Sequence, residues 1–285
     1  MTARYEDRLR RVLRYIHDNP AGDLSLDTLA DVAALSRFHW HRIFHAMTGE
    51  TCADVVRRVR VHRASFWLAQ SDLPLNRIAR QVGYDNTRSF ERAFREVFGV
   101  TPVAFRKDGV PGRAPLILRT GDDDMYDVKV IDAPARRLAG LAHTGPYEEV
   151  GRAFEQVVAV FSAHNLWPQA RGMVAVGYDD PNTAAPEALR SFAGIEVGAA
   201  FAIRSDLSEV SVPAGPHAVL RVTGPYAQLG AGYDHLFGRW LPGSAREPAD
   251  APPYEVYLNS PQDTAPADLI TDIHVPLKPV GQSTG

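Results

Sequence analysis

Apolar residues recur at helical spacing through the first third of the chain. Leu26, Leu29, Ala30 and Ala33 share one helical face, and Asp23 or Ser25 can cap its start. A turn near Ala34–Ser36 is predicted next, then a second helix over Phe38–Met47 that buries Trp40, Ile43, Phe44 and Met47 and stops at Gly49. The pattern returns: Leu75, Ile78, Ala79 and Val82 repeat the first helix at an offset of 49, with Gly83 at the turn, where a positive φ suits glycine. Phe90, Arg92, Phe94 and Gly99 repeat Trp40, Arg42, Phe44 and Gly49 at an offset of 50. Between the copies, Ala53–Gln70 forms one long predicted helix with Val55, Val56, Val59, His62, Phe66 and Ala69 on its apolar face.

Two short helices joined by a tight turn suit the major groove, because the second can lay its outer face on base edges. In the first copy that face carries Arg37, Phe38, His41, Arg42 and His45; in the second, Asn86, Thr87, Arg88, Glu91, Arg92 and Arg95. The bland alternative is two solvated faces. His41 and His45 have the spacing of a two-histidine metal pair, yet no Glu or Cys lies nearby to complete it, so a groove-facing pair is the reading adopted. The segment Leu73–Phe105, LPLNRIARQVGYDNTRSFERAFREVFGVTPVAF, resembles the signature of AraC-family transcription regulators, and the resemblance extends over about residues 5–108. It implies a homeodomain-like, all-α, monomeric module of seven helices with two helix–turn–helix units that binds double-stranded DNA. By position it assigns base reading to Phe38, His41 and Arg42, with Thr87, Arg88 and Arg92 as their counterparts; Trp40 and Phe90 are expected in the core.

Alternation replaces helical spacing in the second half. Thr144-Gly145-Pro146-Tyr147 recurs as Thr223-Gly224-Pro225-Tyr226, at an offset of 79. Val150/Leu229, Gly151/Gly230, Phe154/Tyr233, Val157/Leu236, Val158/Phe237 and Phe161/Trp240 keep that offset in steps of three and four, which marks matching amphipathic helices. Pro181, Pro186 and Leu189 pair with Pro261, Pro266 and Leu269. Strand-like runs flank each helix, so each half reads strand–helix–strand–strand. The expected fold is α+β: duplicated β-α-β-β halves forming one antiparallel sheet with helices on one face, and a ligand groove between the halves, open on the sheet's other face.

This half resembles the GyrI-like small-molecule binding domain over about residues 126–279, through both GPY turns, YDDP at 178–181, EVYLNSP at 255–261 and DIHVPL at 272–277. An AraC module followed by such a domain is the Rob-type architecture. The resemblance implies amphipathic, often cationic, aromatic effectors, with a carboxylate in an aromatic cleft as counter-charge. Glu255, in an apolar strand and sharing a face with Tyr257, is the first candidate, because a carboxylate there is costly unless paired or set at a cleft. Glu196 is the second. Tyr147, Tyr226, Trp167, Phe192 and Trp240 are candidate cleft aromatics, with Tyr178 a further one. After Ala188-Leu189-Arg190 the family often has an Asp two residues on; here Ser191-Phe192 makes the expected site less acidic and more apolar.

Charge divides in the same place. Residues 1–110 hold 18 basic and 13 acidic side chains, and the rest 13 and 21, so a net +5 half adjoins a net −8 half. The expected domains are 1–108 for DNA, a linker over 109–124 whose apolar patch Leu116–Leu118 docks on one of them, and 125–280 for a small molecule. One cysteine, Cys52, excludes an intramolecular disulfide framework. The charged start is unlike a secretory signal. No apolar run approaches the roughly 18 residues that a spanning helix needs, so a cytoplasmic protein without membrane contact is expected. No phosphate-binding loop or HExxH occurs, and neither cofactor nor metal is expected. Sensing is the leading reading. The alternatives are hydrolysis of electrophilic drugs with Glu255 as base and Tyr147 holding the substrate, and a protein partner such as RNA polymerase.

Overall fold

A computed structural model describes residues 3–108 and 126–280. The linker and its apolar patch lie outside the described residues. The described chain divides into two compact units. One holds residues 3–35 and 48–108; the other holds 36–47 and 126–280.

The first unit is helical: α1 (Ala3–Asp18), α2 (Leu26–Ala33), α4 (Cys52–Gln70), α5 (Leu75–Gln81), α6 (Thr87–Phe98) and α7 (Pro102–Asp108). Side-chain caps set the starts. Ser25 accepts the Thr28 N–H and Thr51 the Asp54 N–H, satisfying donors that a helix leaves open. Asn86, expected on the groove face, caps α6 instead, its Oδ1 taking the Ser89 N–H at 2.8 Å. The core gathers Leu68 from α4, Ile78 and Val82 around α5, Phe90 and Phe94 from α6 and Phe105 from α7.

The two turns show the repeat at the level of backbone strain. Ala34 and Gly83 occupy equivalent positions of the two copies, and both adopt the left-handed conformation, at φ 53° and 85°. At Gly83 a Cβ would lie 2.5 Å from the Pro20 carbonyl oxygen, so only glycine fits. At Ala34 the conformation opposes the side chain. Ala34→Gly is therefore expected to stabilise this unit by ~0.5–1 kcal/mol, whereas Gly83→Ala should cost ~2 kcal/mol or more. Chemical denaturation of both variants checks the opposite signs.

The second unit comprises α3 (Arg37–Thr48) and an eight-stranded antiparallel sheet with two helices. The strands are β1 (Val128–Ala133), β2 (Arg136–Thr144), β3 (Ala170–Gly177), β4 (Arg190–Val197), β5 (Ser208–Val212), β6 (Gly215–Thr223), β7 (Tyr254–Tyr257) and β8 (Ile270–Pro276). Helix α8 spans Val150–Ala163; α9 spans Leu229–His235 and continues through a π-helical turn, Leu236–Trp240. The sheet order is β1-β6-β8-β7-β3-β4-β2-β5, so the halves meet at β7 and β3. Equivalent bonds close equivalent turns: Gly145 N–H to the Leu189 carbonyl, and Gly224 N–H to that of Leu269.

Each half has one strand more than the pattern predicts. β1 pairs with β6 of the second half and β5 with β2 of the first, so the halves exchange their leading strands. β1 is exposed at four of its six positions and β5 at three of its five, so each offers only a short apolar signal, Val210 and Val212 in β5.

Candidate functional site

The site is built on β7 at the meeting of the halves. Side chains alternate across a strand, so Glu255 and Tyr257 share one face, and Tyr254 and Val256 the other. Glu255 lies opposite Ala175 of β3 and Ile273 of β8, and the small Ala175 leaves the carboxylate room. Tyr257 meets Phe154 of α8 at 5.5 Å and Tyr226 at 5.3 Å, both nearly edge to face. Glu255 Oε1 accepts the Tyr233 hydroxyl of α9 at 3.1 Å, and Oε2 that of Tyr257 at 2.7 Å. Glu255 and Tyr257 therefore lie on the helix-bearing face between α8 and α9, and not on the open face where a groove is expected. Tyr233 of α9 reaches the carboxylate directly, and Phe154 of α8 reaches it through the Tyr257 ring.

Electrostatics follow from this enclosure. Burial pushes the Glu255 carboxyl above its ordinary 4.5, against the two phenol hydrogen bonds and the charge of Arg42, which pull it down. Burial, with the adjacent carboxylate, drives the Tyr233 and Tyr257 hydroxyls well above 10 and keeps them donors. Tyr147 is pushed up to about 12 by burial; its hydroxyl donates to the Asp179 carbonyl at 2.7 Å and accepts the Asp179 N–H at 3.0 Å.

Other candidates separate. On β4, Ala193 and Ile195 pack with residues of α8, so Phe192 and Glu196 point the opposite way. Phe192 joins Leu138, Val174 and Tyr254 in the core of the far face, and Glu196 forms an ion pair with Arg136. Neither reaches the cleft, because alternation counted from β7 does not fix the phase of β4. Trp167 follows the far end of α8, packs on Phe161 at 5.7 Å and donates to Ser162 Oγ at 3.0 Å. Trp240 lines, with Leu236, Phe237 and Val275, a gap with no room for a water molecule. Tyr178 packs, partly buried, at the edge of the far-face core.

Sequence reasoning missed Asp179, Tyr233 and Phe237. The Asp179 carboxylate caps the Arg190 N–H at 2.8 Å and binds the Arg190 guanidinium at 2.7 and 2.9 Å, while its carbonyl faces the cleft. Asn259, the counterpart of Asp179 in the second half, caps Ile270 in the same way at 2.8 Å. That match is a signal within the YDDP motif.

The DNA-facing candidates divide as well. Arg88 and Arg92 are exposed, and Thr87 is half-buried at the start of α6; Arg37 is exposed and Phe38 half-buried. His41 and Arg42, expected on an open face, are 6% and 7% exposed. They are covered because α3 packs within the second unit. His39 reaches the Ala251 carbonyl at 2.9 Å and its ring lies 5.5 Å from Phe237. Arg42 Nη2 donates to the carbonyls of Asp179 at 2.6 Å and Gly177 at 3.3 Å, and Nη1 to that of Phe38 at 3.1 Å. Its guanidinium lies 5.7 Å from the Tyr233 ring and 5.9 Å from that of Phe237.

Comparison with known proteins agrees with this layout. The sequence model of the GyrI-like small molecule binding domain matches residues 126–278, and that of a helix-turn-helix domain matches residues 29–108. The transposon Tn10 TetD protein of Escherichia coli is 31% identical over 36% of this chain and 80% of its own length. The bifunctional transcriptional activator/DNA repair enzyme AdaA of Bacillus subtilis is 35% identical over 34% of this chain, and the match spans only 46% of that protein. Among solved structures, the EcmrR C-terminal domain aligns over 55% of this chain and 99% of its own, at 13% identity and a TM-score of 0.45. Among the described residues no helix is long and apolar enough to cross a membrane. With a GyrI-like match over more than half its length behind an N-terminal helix-turn-helix region, the chain belongs to the AraC-type regulators that carry a C-terminal GyrI-like small-molecule binding domain.

Proposed function

We propose that the chain is a one-component regulator: its N-terminal helices bind double-stranded DNA along two successive major-groove segments, and the cleft at Glu255 binds an organic cation that modulates this. The observation that carries the reading is the Glu255 carboxylate, held by Tyr233 and Tyr257 with Tyr226 and Phe154 on the Tyr257 ring. A charge so placed is costly unless a cation completes it, and each aromatic face adds ~0.5–2 kcal/mol of attraction for that cation. Both carboxylate oxygens already accept a phenol, which favours holding a cation over activating a water.

Thermal-shift screening of the full chain against aromatic cations, neutral amphiphiles and electrophilic drugs tests the effector side, with recovered compounds checked for chemical change. A shift by intact cations supports sensing; conversion of the compound would promote the hydrolase. For the DNA side, affinity for a duplex should fall steeply with salt. Arg88→Ala with Arg92→Ala should weaken it ~10-fold or more, as loss of two groove or phosphate contacts requires. Salt-independent binding, or an unchanged double variant, would remove the second helix–turn–helix from the DNA interface.

A further inference from the structure

Arg42 stands where the second helix of a helix–turn–helix faces outward, yet its guanidinium lies in the cleft. Two backbone carbonyls, of Asp179 and Gly177, accept from it, two aromatic rings flank it, and its charge acts on Glu255. These are the partners an organic cation would use. The helix that carries it is seated closely. Gly238 lies against Ala46 of α3, where a Cβ would come within 2.9 Å of the Ala46 Cβ and 3.0 Å of its carbonyl oxygen. His39 fixes the same helix to the Ala251 carbonyl.

We propose that Arg42 is an internal ligand of the effector cleft, so that a bound organic cation and docked α3 exclude each other. The inference rests on the effector reading above and names its regulation. Arg42 already takes the Asp179 and Gly177 carbonyls and the two ring faces, and a second cation beside it would meet like charge in a partly desolvated site. Entry of a flat amidinium- or guanidinium-like aromatic cation therefore expels Arg42 and releases α3. Outside the cleft, Arg42 and His41 become available to base edges. Linkage makes the effect reciprocal: DNA that holds α3 empties the cleft and tightens effector binding. The docked helix also lowers apparent effector affinity in proportion to the fraction of molecules with an empty cleft.

The test uses the full chain and p-aminobenzamidine, a fluorescent aromatic amidinium. Wild type, Arg42→Ala and Gly238→Leu are titrated, and hydrogen exchange is followed over residues 38–47. Gly238→Leu keeps Arg42 and every cleft side chain while forcing α3 off its seat, so it guards against a trivial effect of the truncated arginine. The expected result is binding ~10-fold tighter or more in both variants, and faster exchange in α3 of the wild type when the probe saturates. Equal affinity in all three proteins, or unchanged exchange in α3 at saturation, would overturn the proposal while leaving the effector site standing. Absence of binding even to Arg42→Ala would overturn the cationic effector reading, and this inference with it.

Discussion

Glu255→Gln should weaken binding of an aromatic cation by ~30- to 1000-fold, the equivalent of about 2–4 kcal/mol for removing the charged partner of an enclosed ion pair. The substitution keeps the shape; the amide carbonyl still accepts one phenol, and the other phenol must turn its hydroxyl to accept from the amide N–H. Titration is best done in an Arg42→Ala background, where no guanidinium of the chain competes for the carboxylate. The pH dependence has a definite sign. Burial raises the Glu255 pKa above 4.5, so the carboxylate takes up a proton earlier on acidification than an exposed one would. Cation affinity should therefore fall as pH drops through the raised pKa, and the Gln variant should show no such dependence. Equal affinity of the two proteins at neutral pH would remove Glu255 as counter-charge.

Acidification should also loosen α3. His39 is pushed down to about 3, first by burial and then by the charge of Arg42. His41 is pushed down to about 4 by the same two causes, which outweigh the opposing attraction of Asp179 and Asp180. Both are neutral in the docked helix, and both regain an ordinary pKa near 6.5 when it is exposed. A depressed pKa contributes stability that is complete above 6.5 and lost as pH falls towards the docked value. At pH 5.5, one unit below 6.5, each imidazole costs about 1.4 kcal/mol, so docking should weaken by ~3 kcal/mol relative to pH 7.5. Protonation of Glu255 acts in the same direction, since it removes the charge facing Arg42. Hydrogen exchange over residues 38–47, corrected for the intrinsic effect of pH, reads the change. The double variant His39→Phe, His41→Gln should be nearly flat between these pH values; if it keeps the full dependence, the histidines are not its source and Glu255 becomes the candidate.

Much of this protein is legible in one dimension, because its features are local or periodic. Helical spacing places α2, α5 and α6, and the cap at Ser25 marks the start of α2, since a helix is closed by bonds and caps within a few residues. The offset that pairs the two GPY turns anticipates the closing bonds at Gly145 and Gly224, because equivalent sequences meet equivalent backbone demands. A lone Glu between apolar and aromatic neighbours marks position 255 as costly unless compensated, and the hydroxyls of Tyr233 and Tyr257 donate to it there.

The remainder depends on which distant segments meet. Exchange of β1 and β5 between the halves leaves no pattern, because the pairing joins segments far apart in the chain and these short, largely exposed strands carry little apolar signal. Alternation determines which residues of one strand share a face, yet not which face bears the helices. The expectation for Glu196 and Phe192 fails for that reason, and Tyr233, read only as a position of an amphipathic helix, meets Glu255 through packing that no local pattern gives. The deepest difference concerns α3. Its sequence shows an amphipathic helix with a polar, basic outer face, and such a face serves water, DNA or a carboxylate cleft equally well. Only the tertiary structure, by bringing Gly238, Ala251, Asp179 and Tyr233 against that helix, decided that Arg42 is covered by carbonyls and rings. Hydrophobic periodicity specifies what must be hidden, whereas the partner of a charge is set by groups far apart in the chain, whose separation no local pattern encodes.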